Sequence, residues 1–311
     1  KVGVATVMAA ALMFVTGLID DRFRLRPATK LILQVAAAAI VVSFGVRYPL
    51  TGIAPVDILV TVFWFLALTN ALNLLDNMDG VAAGVAAIAA GFLALSFGLQ
   101  GSWQLAAVCV ALCGAALGFL PYNFHPASIF MGDSGSLFMG ALLAALGASF
   151  PATAEVGIVP VMFVPVFVVI VPILDTMLVT VTRTVAGRPI TSGGRDHTSH
   201  RLVALGLSEP RAAVLLYSFA IIGGVLGVTL SLVELPIGTL FGGLFLVLLA
   251  LLATYLSRVH VYNEDEQNAG SRVTLMVSDL LYKKRALELL FDIVLFGLAY
   301  HIAYLIRWDA A

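Results

Sequence analysis

Eleven residues at positions 70 to 80, NALNLLDNMDG, place two carboxylates and three carboxamides at the end of an apolar run that begins near Ile58. Each of these groups costs free energy to bury unpaired, so the stretch is either the polar hem of a membrane helix or part of a site. Asn70, Asn73 and Asn77 share a helix face, and Asp76 is displaced from it. Asp79-Gly80 reads as a turn, which predicts Asp79 at the start of the next span, capping its free N–H groups. Asparagines that glue helices together, with Asp79 as a cap, would explain everything here except Asp76.

Three other clusters have similar surroundings. GLIDDRFRLRPATK has Asp20 beside Asp21 at a helix end. Adjacent carboxylates repel, and a cation or retained protons commonly hold such pairs together; pairing with Arg22 and Arg24 in solvent is the plainer alternative. NFHPASIFMGDSGS brings Asn123, His125, Phe130, Asp133, Ser134 and Ser136, with glycines ahead of a helix expected from about Ser136. Backbone N–H groups at such a start favour phosphate oxygens, and an ordinary capped turn uses the same residues. GRPITSGGRDHTSHRL holds Arg188, Arg195, Asp196, His197, His200 and Arg201, which suit a phosphate-rich ligand or anionic lipid headgroups. Asp20, Asp21, Asp76, Asp79 and Asp133 are oxygen donors of the kind Mg²⁺ takes, one or two at a time with waters and substrate phosphates. No Cys/His set has zinc spacing, and Cys109 and Cys113, a helical turn apart inside a span, read as packing residues. Asp175, three residues after Pro172, either satisfies backbone groups that the proline frees or lines a polar cleft.

The elements that position these residues are apolar. Of 311 residues 61% are hydrophobic and 11% charged, with mean hydropathy +1.04. A soluble domain carries about 25% charged residues, so a cytosolic globule is excluded. Ten stretches approach the length that crosses a bilayer, at 1–19, 28–46, 54–75, 81–99, 103–121, 136–152, 157–182, 212–233, 236–257 and 286–306. The fold class is all-α, a polytopic membrane protein. Threading the spans alternately puts 20–27, 76–80, 122–135, 183–211 and 258–285 on one side. With Lys30 at the mouth of the second span, that side takes fourteen of the 17 basic residues, leaving Lys1, Arg47 and Arg307. By the positive-inside rule it is cytoplasmic. All four chemical clusters lie there, whereas hems that merely trim helices would occur on both faces. An ion-coupled transporter would place its site near the midplane in broken helices, and only Asp175 fits that alternative. Lys1 already lies inside a spanning helix, with no signal-peptide h-region or cleavage site before it, which reads as a fragment.

Together GLIDD, NALNLLDNMDG, NFHPASIFMGDSGS and GRPITSGGRDHTSHRL, in this order at membrane exits, resemble the polyprenyl-phosphate N-acetylhexosamine-1-phosphate transferases over roughly residues 1 to 255. The resemblance implies ten or eleven transmembrane helices in the bacterial inner membrane, around a cytoplasmic active-site cleft. It implies transfer of N-acetylhexosamine 1-phosphate from a UDP-sugar, UDP-GlcNAc first among them, to a polyprenyl phosphate such as undecaprenyl phosphate. UMP would be released and a cell-wall or lipopolysaccharide polymer begun. Mg²⁺ would be required, with Mn²⁺ as its substitute. Carried over by motif, Asp133 would bind the metal with Asp76 beside it, and Asp20 and Asp21 would serve the lipid phosphate or the metal. Asp20, Asp21 and Asp76 are thereby the catalytic candidates. Asn123, Phe130 and Asp79 would hold uridine, and His197, His200 and Arg188 the diphosphate or sugar; Asn70 and Asn73 complete the substrate-binding set. The partners are then UDP-N-acetylhexosamine, polyprenyl phosphate and the membrane, with no nucleic acid; a homodimer is compatible.

The chain departs from the pattern at Asn77, where glycine is usual, and at Ser199, where the H-x-H-H motif has its middle histidine. The second departure favours the hexosamine branch over transfer of phospho-N-acetylmuramoyl-pentapeptide, which is the alternative. Members of the family carry about two further helices and a basic loop before GLIDD, so the chain as given is expected to lack part of the lipid-phosphate site and to be inactive alone. A non-catalytic assembly subunit is the remaining alternative. The expected organisation is a transferase domain at 1–257, a cytoplasmic linker at 258–285 and an additional transmembrane helix at 286–311. That last helix resembles the start of polysaccharide-biosynthesis proteins, or is a plain anchor.

Overall fold

A computed structural model describes residues 1–150, 158–190, 194–232 and 235–259. Their regular structure is entirely helical: α1 (Val2–Phe23), α2 (Pro27–Ser43), α3 (Ala54–Leu75), α4 (Val81–Leu99), α5 (Trp103–Asn123), α6 (Gly132–Ala148), α7 (Ile158–Val168), α8 (Ile170–Val185), α9 (Thr198–Ala204), α10 (Glu209–Leu230) and α11 (Leu235–Ser257). Five of these helices in full (α1, α3, α4, α5 and α10), and α11 from Leu240, are long and apolar enough to cross a membrane. α2 and α6 are shorter apolar helices of 17 residues. The protein is a multi-pass membrane protein. The expected span at 286–306 lies outside the described residues, as does nearly all of the linker.

Local chemistry sets the breaks. α1 ends where Arg24 turns left-handed (φ 53°), its N–H still donating to Asp20 O at 2.8 Å, and Pro27 then opens α2. The Asp79-Gly80 turn forms as expected, Gly80 taking φ 76° ahead of α4. The span expected over 157–182 is not one rod: it breaks at Val169 into α7 and α8, bent by 76°. Pro172 has no N–H to return to the carbonyl four residues back, and Pro165 sits in the turn before the break.

α6 packs against α1 on one side and α3 on the other, while α4 packs against α5 and α10. The α1–α6 approach is backbone on backbone. A Cβ on Gly17 would stand 2.3 Å from Asp133 O, so only glycine lets the acidic end of α1 meet the start of α6. Alternating helix directions then bring the C-terminal ends of α1, α3 and α5 and the N-terminal ends of α2, α4, α6 and α10 to one end of the bundle.

Candidate active site

Four helices deliver the densest cluster. The Lys30 ammonium, one turn into α2, pairs with Asp20 Oδ2 and donates to Asp133 Oδ2 at 2.7 Å. Asp133 Oδ1 accepts from Asn73 Nδ2 of α3 at 2.8 Å, and the same amide group reaches Ser136 Oγ at 2.8 Å. Asp20 Oδ1 also accepts the Leu25 N–H at 2.5 Å. Asp21 takes the N–H groups of Asp133 (2.8 Å) and Ser134 (3.1 Å), and Gly132 turns at φ 66° against its carboxylate. The anion place at the start of α6 is thus filled by Asp21. That helix begins at Gly132 rather than near Ser136, so Asp133 stands in its first turn.

Lys30 is the residue the sequence reading passed over, counted there only as a topological charge. Its signal is in the sequence: an ammonium one turn inside an apolar helix needs a partner, and Asp20 and Asp21 precede the start of that helix by seven and six residues.

Asp76 closes α3 and makes no side-chain hydrogen bond or ion pair among the described residues. Burial, followed by repulsion from Asp133, Asp21 and Asp79, pushes its pKa up to about 7. A carboxylate crowded by three others is a place for a divalent cation, and Asp76 with Asp133 offers the oxygen set that Mg²⁺ accepts. The donors are not drawn into a closed cage: Asp20, Asp76 and Asp133 do not bring three oxygens within 4.8 Å of one another. The charge between Asp20 and Asp133 is instead balanced by Lys30.

Among the described residues the one such triple is Asp79, His125 and Glu209. His125 Nδ1 lies 3.3 Å from Asp79 Oδ2 and 3.1 Å from Glu209 Oε2. Asp79 does not cap α4, contrary to the expectation. It accepts the Ala127 N–H at 2.9 Å, because the loop after α5 folds over the turn and offers a better-placed donor. Asn123, buried, fastens the same loop: its amide donates to Ile129 O at 3.0 Å and its Oδ1 accepts the Gly80 N–H at 3.2 Å. Phe130 then projects 77% exposed beside them. Asp79, Asn123 and Phe130 therefore form one patch. Asn70 lies apart from it, in a reciprocal amide pair with the buried Gln34 of α2 (2.9 and 3.1 Å).

The histidine motif is held from below. Asp175, 1% exposed in α8, faces His197 Nδ1 with Oδ2 at 2.8 Å and accepts the Thr198 N–H on Oδ1 at 2.6 Å. Of the two roles open to Asp175, neither is realised as stated: it orients a histidine. Asp196 is fully buried and chelated by Arg183 (2.7 and 2.6 Å), with Arg188 3.9 Å away. Arg201 donates to Asp196 O, to the carbonyls of Leu256 and Ser257 at the end of α11 and to Val259 O just past it, satisfying a helix end. His200 is pushed below the ordinary histidine range by burial, then by His197 and Arg195. The Ser199 hydroxyl donates to Asn77 Oδ1 at 2.5 Å, so α9 touches the acidic turn.

The sequence pattern of glycosyl transferase family 4 matches residues 4–150. A decaprenyl-phosphate N-acetylglucosaminephosphotransferase of Mycolicibacterium smegmatis is 37% identical over 241 residues, covering 68% of this chain and 59% of the relative. A probable undecaprenyl-phosphate N-acetylglucosaminyl 1-phosphate transferase of Bacillus subtilis is 31% identical over 260 residues, covering 80% of this chain and 70% of the relative. A phospho-N-acetylmuramoyl-pentapeptide-transferase of Geobacillus kaustophilus is 36% identical over 160 residues, covering 51% and 47%. The chain spans about three fifths of the length of the mycobacterial relative.

Proposed function

The chain belongs to glycosyl transferase family 4, and from that premise we propose that it moves N-acetylhexosamine 1-phosphate from a UDP-sugar, UDP-GlcNAc first, onto polyprenyl phosphate, releasing UMP at the cytoplasmic face of the bacterial inner membrane. The observation that carries this reading is the meeting of Asp20, Asp21, Asp133, Lys30 and Asn73, from four helices, at one end of the bundle. The product would begin a cell-envelope polysaccharide. The longer match to the N-acetylglucosamine enzymes supports the hexosamine branch over the pentapeptide branch.

A phosphate monoester has its second pKa near 6, so the lipid phosphate arrives mostly dianionic and needs little activation. A lipid phosphate oxygen attacks the β-phosphorus of the UDP-sugar in line, a new P–O bond forms, and the bond to the bridging oxygen breaks as UMP leaves. Repulsion between the two anions is the obstacle. Lys30 supplies a fixed positive charge there, and Asn73 holds Asp133 in place. Asp20 and Asp21, which accept hydrogen bonds from Leu25 and from Asp133 and Ser134 respectively, take any residual proton. Asp133 and Asp76 would hold Mg²⁺, which when bound neutralises the diphosphate and the leaving UMP. Asp79, Asn123 and Phe130 are the uridine patch, with Phe130 as its stacking face, and His197, His200 and Arg188 hold the diphosphate or sugar.

The test is UMP release from UDP-GlcNAc with undecaprenyl phosphate, using membranes that carry the whole gene product. Mg²⁺-dependent turnover is expected, falling at least about 100-fold in Asp133→Asn as several kcal/mol of charge stabilisation is lost. Turnover that survives the substitution removes Asp133 from the metal site. Turnover with UDP-N-acetylmuramoyl-pentapeptide in place of UDP-GlcNAc moves the protein to the other branch.

A further inference from the structure

Ser199 is 1% exposed, and its hydroxyl points out of α9 onto Asn77 Oδ1 at 2.5 Å. Asn77 is oriented for this contact, because its Nδ2 donates to Leu74 O at 2.8 Å and so turns Oδ1 toward α9. The Asn77 main chain is also among the groups that act electrostatically on His200, the residue after Ser199. In sequence Asn77 lies between Asp76 and Asp79, and Ser199 lies between His197 and His200. Asp175 and α10 hold the histidine helix from behind, and the Ser199–Asn77 bond ties its front directly to the carboxylate turn. We propose that Asn77 and Ser199 are a positioning pair that acts as one unit, fixing the gap between the acidic turn and the histidine helix in which the diphosphate is held. The inference rests on the transferase reading for its kinetic consequence and on geometry alone for its structural one.

The two residues are also the two positions at which the chain's motifs depart from the pattern they resemble. Ser199 is buried, and the half-buried Asn77 amide lies directly over its hydroxyl. A histidine at 199 needs room that the Asn77 amide now occupies, and a glycine at 77 leaves the Ser199 hydroxyl buried without its acceptor. Changing one partner alone is therefore damaging, and changing both restores a filled space.

Four variants in the whole gene product decide the matter: Ser199→Ala, Asn77→Gly, Ser199→His and the double exchange Asn77→Gly/Ser199→His. Ser199→Ala and Asn77→Gly should each lower kcat and kcat/KM by about the same factor, on the order of tenfold, because an interaction that aligns reacting groups is lost rather than ground-state binding. Ser199→His alone should fall on the order of 100-fold, and the double exchange should recover to within roughly fivefold of wild type, a non-additivity expected only of residues in contact. A double exchange no better than Ser199→His, in protein that elutes as a folded species, overturns the proposal, as do effects that multiply. If the wild type releases no UMP, it is the transferase reading that fails. The pair is then judged by the same cycle on thermal unfolding midpoints in detergent, where recovery in the double exchange supports it and additive shifts refute it.

Discussion

Replacing Asp175 by asparagine tests how the histidine motif is held, with almost no change in volume. The carboxylate accepts on both oxygens, from the His197 ring at 2.8 Å and from the Thr198 N–H at 2.6 Å, in a site that is 1% exposed. An asparagine has one acceptor and one donor. If its oxygen serves Thr198, its NH₂ faces His197 Nδ1 and forces the proton of that ring onto Nε2; if it flips, NH₂ confronts the Thr198 N–H. The first arrangement costs the ring its tautomer and the second sets donor against donor in a buried site, about 1–3 kcal/mol in each case. Spent on the orientation of His197, this is a loss of roughly 5- to 150-fold in kcat. The assay is UMP release at saturating UDP-GlcNAc and undecaprenyl phosphate, with Asp175→Asn, His197→Ala and the double variant side by side. Because Asp175 acts through His197, the double variant should be no slower than His197→Ala alone. Wild-type turnover in Asp175→Asn, or losses that multiply in the double variant, would refute the argument.

Other consequences are as direct. Asp196→Ala leaves Arg183 buried without its bidentate partner and should cost about 3–5 kcal/mol, read as a lowered unfolding midpoint in detergent, with Arg183→Lys a poor substitute for the fork. Raising the pH through about 7 ionises Asp76, so Mg²⁺ affinity should rise about tenfold between pH 6 and pH 8; the metal-free protein should lose stability as the pH climbs from about 4 to about 7, where the unfolded chain has released the proton that the folded state still keeps, and Asp76→Asn should flatten both curves. Gly17→Ala drives a methyl to 2.3 Å from Asp133 O and should lower stability by about 1–3 kcal/mol while reducing turnover, since it separates Asp20 and Asp21 from α6.

Three asparagines show what a sequence can and cannot disclose about such a site. Asn70, Asn73 and Asn77 have the same side chain and the same claim to a polar partner; the first two lie on one face of α3, but the helix ends at Leu75, so Asn77, expected on that face, stands in the turn beyond it. The structure sends the first to Gln34 of α2, the second to Asp133 of α6 and the third to Ser199 of α9. The face is legible because helical periodicity is local, and so is the end of the bundle at which the polar groups collect, because apolar length and charge bias decide the threading. The partners are not legible, because they depend on which neighbour a small residue admits. Gly17 lets α6 approach α1, and the bend at Val169 aims α8 so that Asp175 reaches His197, 22 residues further on. Asp175, 1% exposed deep in a span, announces its cost more loudly than Lys30, which sits a quarter exposed one turn into α2. Beside Lys30 the acidic pair also has a nearer and more obvious set of arginines. A charge buried in an apolar helix is thus better evidence of a site than its nearest neighbours in sequence suggest. Its partner should be sought among carboxylates on the same side of the membrane, at whatever separation the chain requires.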